Sequence, residues 1–315
     1  TRTGGSLMNK EKLSLKEKFI RAKDKGNISA FLMLLPAVIL LAVISIYPFL
    51  WLIRYASFNY NGFEAYHTGL DNFKRAFADT TYWASVVHTF EYAILKIVII
   101  LPLALIIAVI LHMGMIGKRA FGAIYFLPTV ISPAVYSLIF YFIYAAYNGV
   151  LNAFLMKYGI IGAPIDWLGD PKIVMISIVI VAVWGGFGNY MIYFTSGLSS
   201  ISSEVYESSK IDGANGVQTF FKITLPLLGP VMKVIIMLAI TTALKDYQSI
   251  LVLTGGGPNN RSHVMFSYIY QLSFGSTTTQ PQLGYSAVLS LISALIIGVI
   301  TVIYLKASKN MDDIY

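Results

Sequence analysis

The chain has no cysteine, which excludes disulfides, thiolate metal sites and a thiol nucleophile. It is almost as short of charge. Only 12% of its 315 residues are Asp, Glu, Lys or Arg, about half of the roughly 25% found in an ordinary soluble domain. Histidine is scarce as well. His67, His88, His112 and His263 stand apart, with no HExxH or comparable ligand spacing, so neither a metal site nor a zinc enzyme is expected. No phosphate-cradling loop is present: Gly114-Met115-Ile116-Gly117-Lys118-Arg119 lacks both the spacing and the hydroxyl of G-x-x-x-x-G-K-[ST]. The one Asp-Asp pair, Asp312-Asp313, lies near the C-terminus, where solvation explains it better than catalysis. No catalytic residue is assigned.

What the chain does have is apolar length. Hydrophobic residues make up 57% and the mean hydropathy is +0.69, so the expected solvent is lipid. A helix crossing a bilayer core needs about 20 apolar residues. Ile28 to Ile53 carries no charge and is read as span 1. Span 2 runs from about Val86 towards Lys118 and includes Glu91 and Lys96. Span 3 covers about 120–145 and span 4 about 173–197. Span 5 covers about 227–253, with Lys233 and Lys245 inside it, and span 6 about 283–305. The expected fold is therefore an all-α polytopic membrane protein with six transmembrane helices.

Net charge is +8, which in a soluble chain would suggest nucleic acid. Here the placement of the basic residues matters more. Eight lie in the tail 1–27; with that tail inside, inner segments hold 14 Lys/Arg and outer segments six. The positive-inside bias puts both termini in the cytoplasm of a multi-pass cell-membrane protein, and no nucleic-acid partner is expected. The reading divides the chain into a basic tail (1–27), span 1 with a short external segment (28–85), a membrane core (86–305) and a C-terminal tail (306–315). Residues 1–7 precede Met8 and look like an expression remnant.

The inner loop 199–226 is the most informative segment. It is expected to form two short helices around a turn at Asp212-Gly213, where glycine takes a left-handed conformation without steric cost. Val205, Tyr206, Ile211, Val217, Phe220, Phe221 and Ile223 are apolar although the charge bias places them in the cytoplasm. Two readings stand: a helix offered to a groove on another protein, with Glu207 facing a basic partner, or an amphipathic loop lying on the membrane surface.

Glu207-Ser208-Ser209, then Gly213, then Ile223-x-Leu225-Pro226 after nine residues resembles the EAA motif of permease subunits of binding-protein-dependent ABC importers. The two alanines of that motif are Ser208 and Ser209 here, both still small. Asp212-Gly213-Ala214, Gly255-Gly256-Gly257-Pro258 and Leu283-Gly284-Tyr285-Ser286-Ala287 resemble the carbohydrate branch, of maltose and glycerol-phosphate type. The likeness covers roughly residues 28–305. It implies a type I ABC importer permease fold paired with a second, homologous permease subunit. It also implies two cytoplasmic ATPase subunits, an extracytoplasmic solute-binding protein and a carbohydrate substrate. Glu207, Ser208, Ser209, Asp212, Gly213, Ala214, Ile223, Leu225 and Pro226 would then form the ATPase-coupling segment. No cofactor is expected on this chain, since ATP and Mg belong to the partner ATPase, and the chain itself would not be an enzyme.

Polar groups at membrane depth tend to face a cavity or protein. In span 5, Ala239, Thr242, Asp246 and Ser249 fall on one helical face, with Thr241, Lys245 and Gln248 in the adjoining row. In span 4, Gly186, Asn189 and Tyr190 offer close approach and hydrogen bonds to hydroxyls. These seven residues of the Ala239 face and span 4 are the expected solute pathway, whereas Gly185 and Gly188 are expected to pack helices. In span 2, Tyr92 and Lys96 share a face, and Glu91 near the outer end is expected to reach water. Tyr47, Trp51, Tyr55, Tyr82, Trp83, Trp167 and Tyr304 lie near span ends and are expected in an interfacial aromatic belt. Rival readings are an ion-coupled secondary transporter using Glu91 or Asp246, a membrane-embedded glycosyltransferase, and a permease of the same family carrying a non-sugar solute. No inverted repeat supports the first of these.

Overall fold

The computed structural model describes residues 27–275 and 279–309. The expectations for the tail 1–26 and for residues 310–315 fall outside the described residues. The chain divides into two units, one ending at Tyr55 and the other beginning at Ala56.

In the first unit, helix α1 (Asn27–Leu41) passes through a π-helical turn, Ala42–Ile46, into α2 (Tyr47–Tyr55). The turn has a local cause. Pro48 has no N–H for the carbonyl of Ile44, and the ladder widens so that the Tyr47 N–H donates to the Ala42 carbonyl, five residues back. The side chains of this span, from Phe31 to Leu50, are largely exposed apolar groups, as lipid-facing residues are.

The second unit opens with an antiparallel pair, β1 (Phe58–Tyr60) and β2 (Ala65–His67), in the register Phe58↔His67, Asn59↔Tyr66, Tyr60↔Ala65. Asn72, on α3 (Asp71–Ala78), fixes its base by donating to the carbonyls of Ala56 (3.0 Å) and Phe58 (2.8 Å). Helix α4 (Thr80–His112) follows; its 33 residues span about 50 Å at 1.5 Å per residue. It begins six residues earlier than the hydropathy suggests because Asp79 caps it, accepting from the N–H groups of Thr81 and Tyr82, both at 3.0 Å.

Span 3 is not one helix. It is α5 (Lys118–Val130) and α6 (Pro133–Ile143), bent by 93°. Pro133 removes a ladder donor and pushes Ser132 out of the helical region (ψ 138°), while Ile131 is already extended (ψ 133°). The short helix α7 (Val150–Lys157) precedes α8 (Val174–Ser199), the most buried of the long helices. The loop that follows contains α9 (Ser203–Ile211), α10 (Gly216–Thr219), a second π-helical turn at Phe220–Thr224 and α11 (Leu225–Leu227). The second turn repeats the first: Pro226 stands just beyond it and the Leu225 N–H donates to the Phe220 carbonyl. Span 5 is also divided, into α12 (Gly229–Lys245) and α13 (Gln248–Leu253), followed by α14 (Met265–Phe274) and α15 (Leu283–Ala307).

The core is the seam of α4 with α8. Tyr92, Ile100, Ala104 and Ala108 pack on Val174, Ile178, Val181 and Ala182, with Leu228, Ile235 and Ala239 closing one side. Lipid tails are as apolar as leucine, so close approach and hydrogen bonds do the work that hydrophobicity does in water. A Cβ on Gly188 would lie 2.7 Å from the Tyr125 carbonyl oxygen, and one on Gly185 would enter the Tyr136 ring. The Tyr82 hydroxyl bonds Ser293 Oγ across to α15 at 2.9 Å. Tyr82 is thus fully buried, and Trp167 stacks on Tyr144 while donating Nε1–H to Asn152. Tyr82 therefore faces the core and not the aromatic belt that the sequence suggests for it, while Trp167 is half-buried with its Nε1–H satisfied inside the protein.

Candidate functional site

The 199–226 loop is built from local chemistry. Ser202 caps α9 by accepting from the Glu204 N–H. At the other end Gly213 adopts φ +75°. The Ala214 N–H donates to the Ser209 carbonyl (3.0 Å) and the Gly213 N–H to that of Lys210 (3.1 Å), which is a Schellman stop. Asn215 and Gln218 then start α10 with a reciprocal capping box. The loop therefore folds as a helix, a left-handed glycine and a second short helix.

Its residues separate into two faces. Ser209 is buried, with Oγ donating to the Tyr206 carbonyl (2.8 Å), and Thr224 is buried beside it. Leu225, Pro226 and Ile223 are half-buried where the chain returns to α12. Glu207, Ser208, Asp212 and Gly213 face outward, and Ala214 is half-buried. Ile211, Val217 and Phe221 are 87%, 68% and 60% exposed. Of the two serines at the motif's alanine positions, only Ser209 occupies a tight site. Behind the loop lies a cavity of 480 Å³ whose lining includes His112, Tyr206, Ser209 and Phe220.

A second cavity, of 370 Å³, lies between α4, α6, α8 and the break in span 5. Gly186, Asn189, Tyr190, Thr242 and Asp246 line it, together with Lys96, Tyr136, Lys245 and Gln248. Ala239 and Ser249 do not line it; both are buried in packing. The helical-face argument stops at Lys245 because Asp246 takes an extended conformation (ψ 136°) and Ser249 belongs to α13. The Tyr190 hydroxyl bonds Thr242 Oγ1 at 2.8 Å, which joins α8 to α12 at the cavity wall.

Two α4 residues hold the break. Lys96 Nζ donates to Asp246 Oδ2 at 2.6 Å, and the Tyr92 hydroxyl donates to the same oxygen at 2.6 Å. Lys96 sits sixteen residues from either end of α4. Sequence reasoning places Tyr92 and Lys96 on one face but does not connect them to Asp246. The available signal is depth: a lysine at the centre of a membrane helix needs a counter-charge, and Asp246 is an acid at matching height.

The outer end carries a second charge pair. Arg261 grips Glu91 through both guanidinium nitrogens, at 2.7 and 2.8 Å. Glu91 is therefore not simply solvated, as the sequence suggests, because the 254–264 segment folds back over α4. His88 Nδ1 donates to the His263 carbonyl at 3.2 Å. The His263 ring is buried against Gly256, at φ +93°, where a Cβ would strike it. Burial pushes the His263 imidazole down to about 4, with a further push from His88. Asp79 gathers the same end: Oδ2 accepts from the hydroxyls of Tyr268 (3.0 Å) and Tyr285 (2.6 Å). Burial raises its carboxyl, but the hydrogen bonds led by Tyr285 outweigh it and the net shift is downward. Among the described residues there is no group of three or more His, Asp or Glu placed to hold a metal ion.

Known proteins resemble the chain in both sequence and fold. The family described as "Binding-protein-dependent transport system inner membrane component" matches residues 100–311. The chain is 34% identical over 244 residues to the multiple sugar-binding transport system permease protein MsmF of Streptococcus mutans, covering 78% of this chain and 82% of that protein. It is 29% identical to the lactose transport system permease protein LacF of Rhizobium radiobacter, covering 90% and 95%. Its fold matches a crystal structure of a bacterial ABC transporter that imports the acidic polysaccharide alginate, with a TM-score of 0.80, 20% identity, and coverage of 93% and 99%.

Proposed function

This chain belongs to the inner-membrane components of binding-protein-dependent transport systems, and on that premise we propose that it forms half of the translocation path of an ATP-driven carbohydrate importer, moved through the 199–226 loop. It is a non-catalytic, multi-pass permease subunit of the inner membrane. The other half of the path comes from a second permease subunit, the solute arrives on an extracytoplasmic binding protein, and two ATPase subunits supply the work.

The observation that carries this reading is the loop's division into an anchored face and an offered face. Ser209 and Thr224 are buried in the bundle, while Glu207, Ile211, Val217 and Phe221 point away from it. Three large apolar side chains exposed together on a short helix-turn-helix suit a groove on another protein. A push on such a rigid, capped segment reaches α12 directly through Leu225 and Pro226, and α12 ends at the cavity.

Carbohydrate is supported from two sides. The relatives include permeases named for lactose and multiple sugars. The 370 Å³ cavity presents amides, hydroxyls, a carboxylate and the rings of Tyr136 and Tyr190. Sugars use such a mixture, with hydroxyls on polar groups and a ring face on an aromatic. The test is reconstitution with the partner permease, ATPase and binding protein in liposomes. ATP-dependent sugar uptake that is abolished by Ile211→Asp, with insertion unchanged, is the expected result. Uptake that persists without ATP and collapses with an uncoupler would overturn it in favour of an ion-coupled carrier.

A further inference from the structure

The break in span 5 opens onto two cavities. Beside the 370 Å³ inner cavity lies another of 430 Å³, between α6, α13 and α14. Tyr247 and Gln248 line both, so the cavities adjoin across the break. The outer one is lined further by Tyr270 and Gln271, and among the described residues no charged side chain lines it.

Its walls repeat one arrangement. Tyr247-Gln248 and Tyr270-Gln271 are each a ring followed directly by an amide. The Tyr247 and Tyr270 rings lie 5.6 Å apart and 30° from parallel. Gln271 Nε2 donates to the Gly255 carbonyl at 2.6 Å, which fixes that amide beside its tyrosine. Tyr247 is half-buried at the break of a broken helix, the kind of site where irregular backbone lines a cavity. Belt tyrosines at a lipid interface need no amide beside each ring. A flat ring that meets the C–H face of a pyranose, next to an amide for its hydroxyls, is what a sugar ring requires.

We propose that the outer cavity is a second carbohydrate subsite, in which a sugar ring lies against Tyr247 and Tyr270 with its hydroxyls on Gln248 and Gln271, joined to a ring in the inner cavity. The outer cavity then sets how many rings of the solute the chain engages at once. This rests on the carbohydrate reading above and narrows it.

The complete transporter in liposomes, with saturating binding protein, is offered the mono-, di-, tri- and tetrasaccharides of glucan, galactan and arabinan series, and initial uptake is measured. The wild type is expected to carry one series with a preference for two rings or more. Tyr270→Ala is expected to lower uptake of those longer sugars by roughly tenfold, near the upper range of one aromatic stacking contact, and to leave the monosaccharide rate unchanged. Tyr270→Phe keeps the ring and should keep the rate, which separates stacking from misfolding. Equal loss at every length, no loss at any length, or a wild type that prefers the monosaccharide overturns the subsite while leaving carbohydrate import standing. A wild type that carries none of the series overturns both.

Discussion

Lys96 and Asp246, 150 residues apart in the chain, lie 2.6 Å apart at the centre of the bundle, with side chains only 11% and 17% exposed. Two charges removed from water repay their desolvation only while both are present. Lys96→Met or Asp246→Ala alone should therefore destabilise the solubilised chain by about 3 kcal/mol, the range for orphaning one partner of a buried pair. The double variant Lys96→Met/Asp246→Leu should recover most of that loss. A thermal midpoint for the double variant as low as the sum of the singles would show that the pair carries no coupling.

The same carboxylate is predicted to matter for the solute. Asp246 lines the inner cavity, at the opposite end of α12 from the 199–226 loop. Asp246→Asn keeps the shape and removes the charge, and uptake should fall while the ATPase stays attached. An unchanged transport rate and KM would remove Asp246 from the pathway.

Gly213 has open space where a Cβ would stand, but its φ is +75°. Its role is conformational, since proline cannot take that angle. Gly213→Pro and Glu207→Ala should leave membrane insertion intact and uncouple ATP hydrolysis from uptake. Gly213→Ala should be milder, at about 1–2 kcal/mol of left-handed strain. ATPase activity and uptake measured on the same vesicles check this, and coupled transport at the wild-type ratio in both severe variants would refute the coupling role.

These sites differ in how well the sequence announces them, and the difference is one of range. The loop is legible because each of its signals is local: Ser202 as cap, Gly213 as stop, Asn215 with Gln218 as box. The bend at Ser132-Pro133 is also written locally, but hydropathy runs on across it and reads as a single span through the proline. The break at Asp246 has no proline or glycine to mark it. It is held by Lys96 and Tyr92 from another helix, so only the fold displays it. Glu91 and Arg261 are 170 residues apart, and their pairing is hidden in the same way.

The Glu91–Arg261 fork is one-third exposed on each side, and its worth is correspondingly modest. Glu91→Gln should cost about 1 kcal/mol, and the difference from wild type should shrink in 1 M salt, where the Debye length is about 3 Å. Arg261→Lys keeps the charge but not the two-pronged geometry, and should behave more like Glu91→Gln than like wild type. A salt-independent difference in thermal midpoint would assign the effect to packing.

His263 makes the acid side of the stability profile predictable. Its imidazole is held neutral down to about 4 by burial and by His88, against about 6.5 in an unfolded chain. Above 6.5 neither state binds the proton and stability is unaffected. As pH falls from 6.5 towards 4, the unfolded chain takes up a proton that the folded ring refuses, so stability declines, by at most about 3 kcal/mol. Of the groups around the ring, His88 is a second imidazole in the same window, whereas Arg261 and Glu91 remain charged as a pair, Ser267 does not titrate, and the depressed Asp79 carboxyl responds only at lower pH. The thermal midpoint of the solubilised protein should therefore drop between pH 7 and pH 5, and His263→Gln should flatten that drop even if it lowers the midpoint at pH 7. An equal slope in the two proteins would place the acid sensitivity elsewhere.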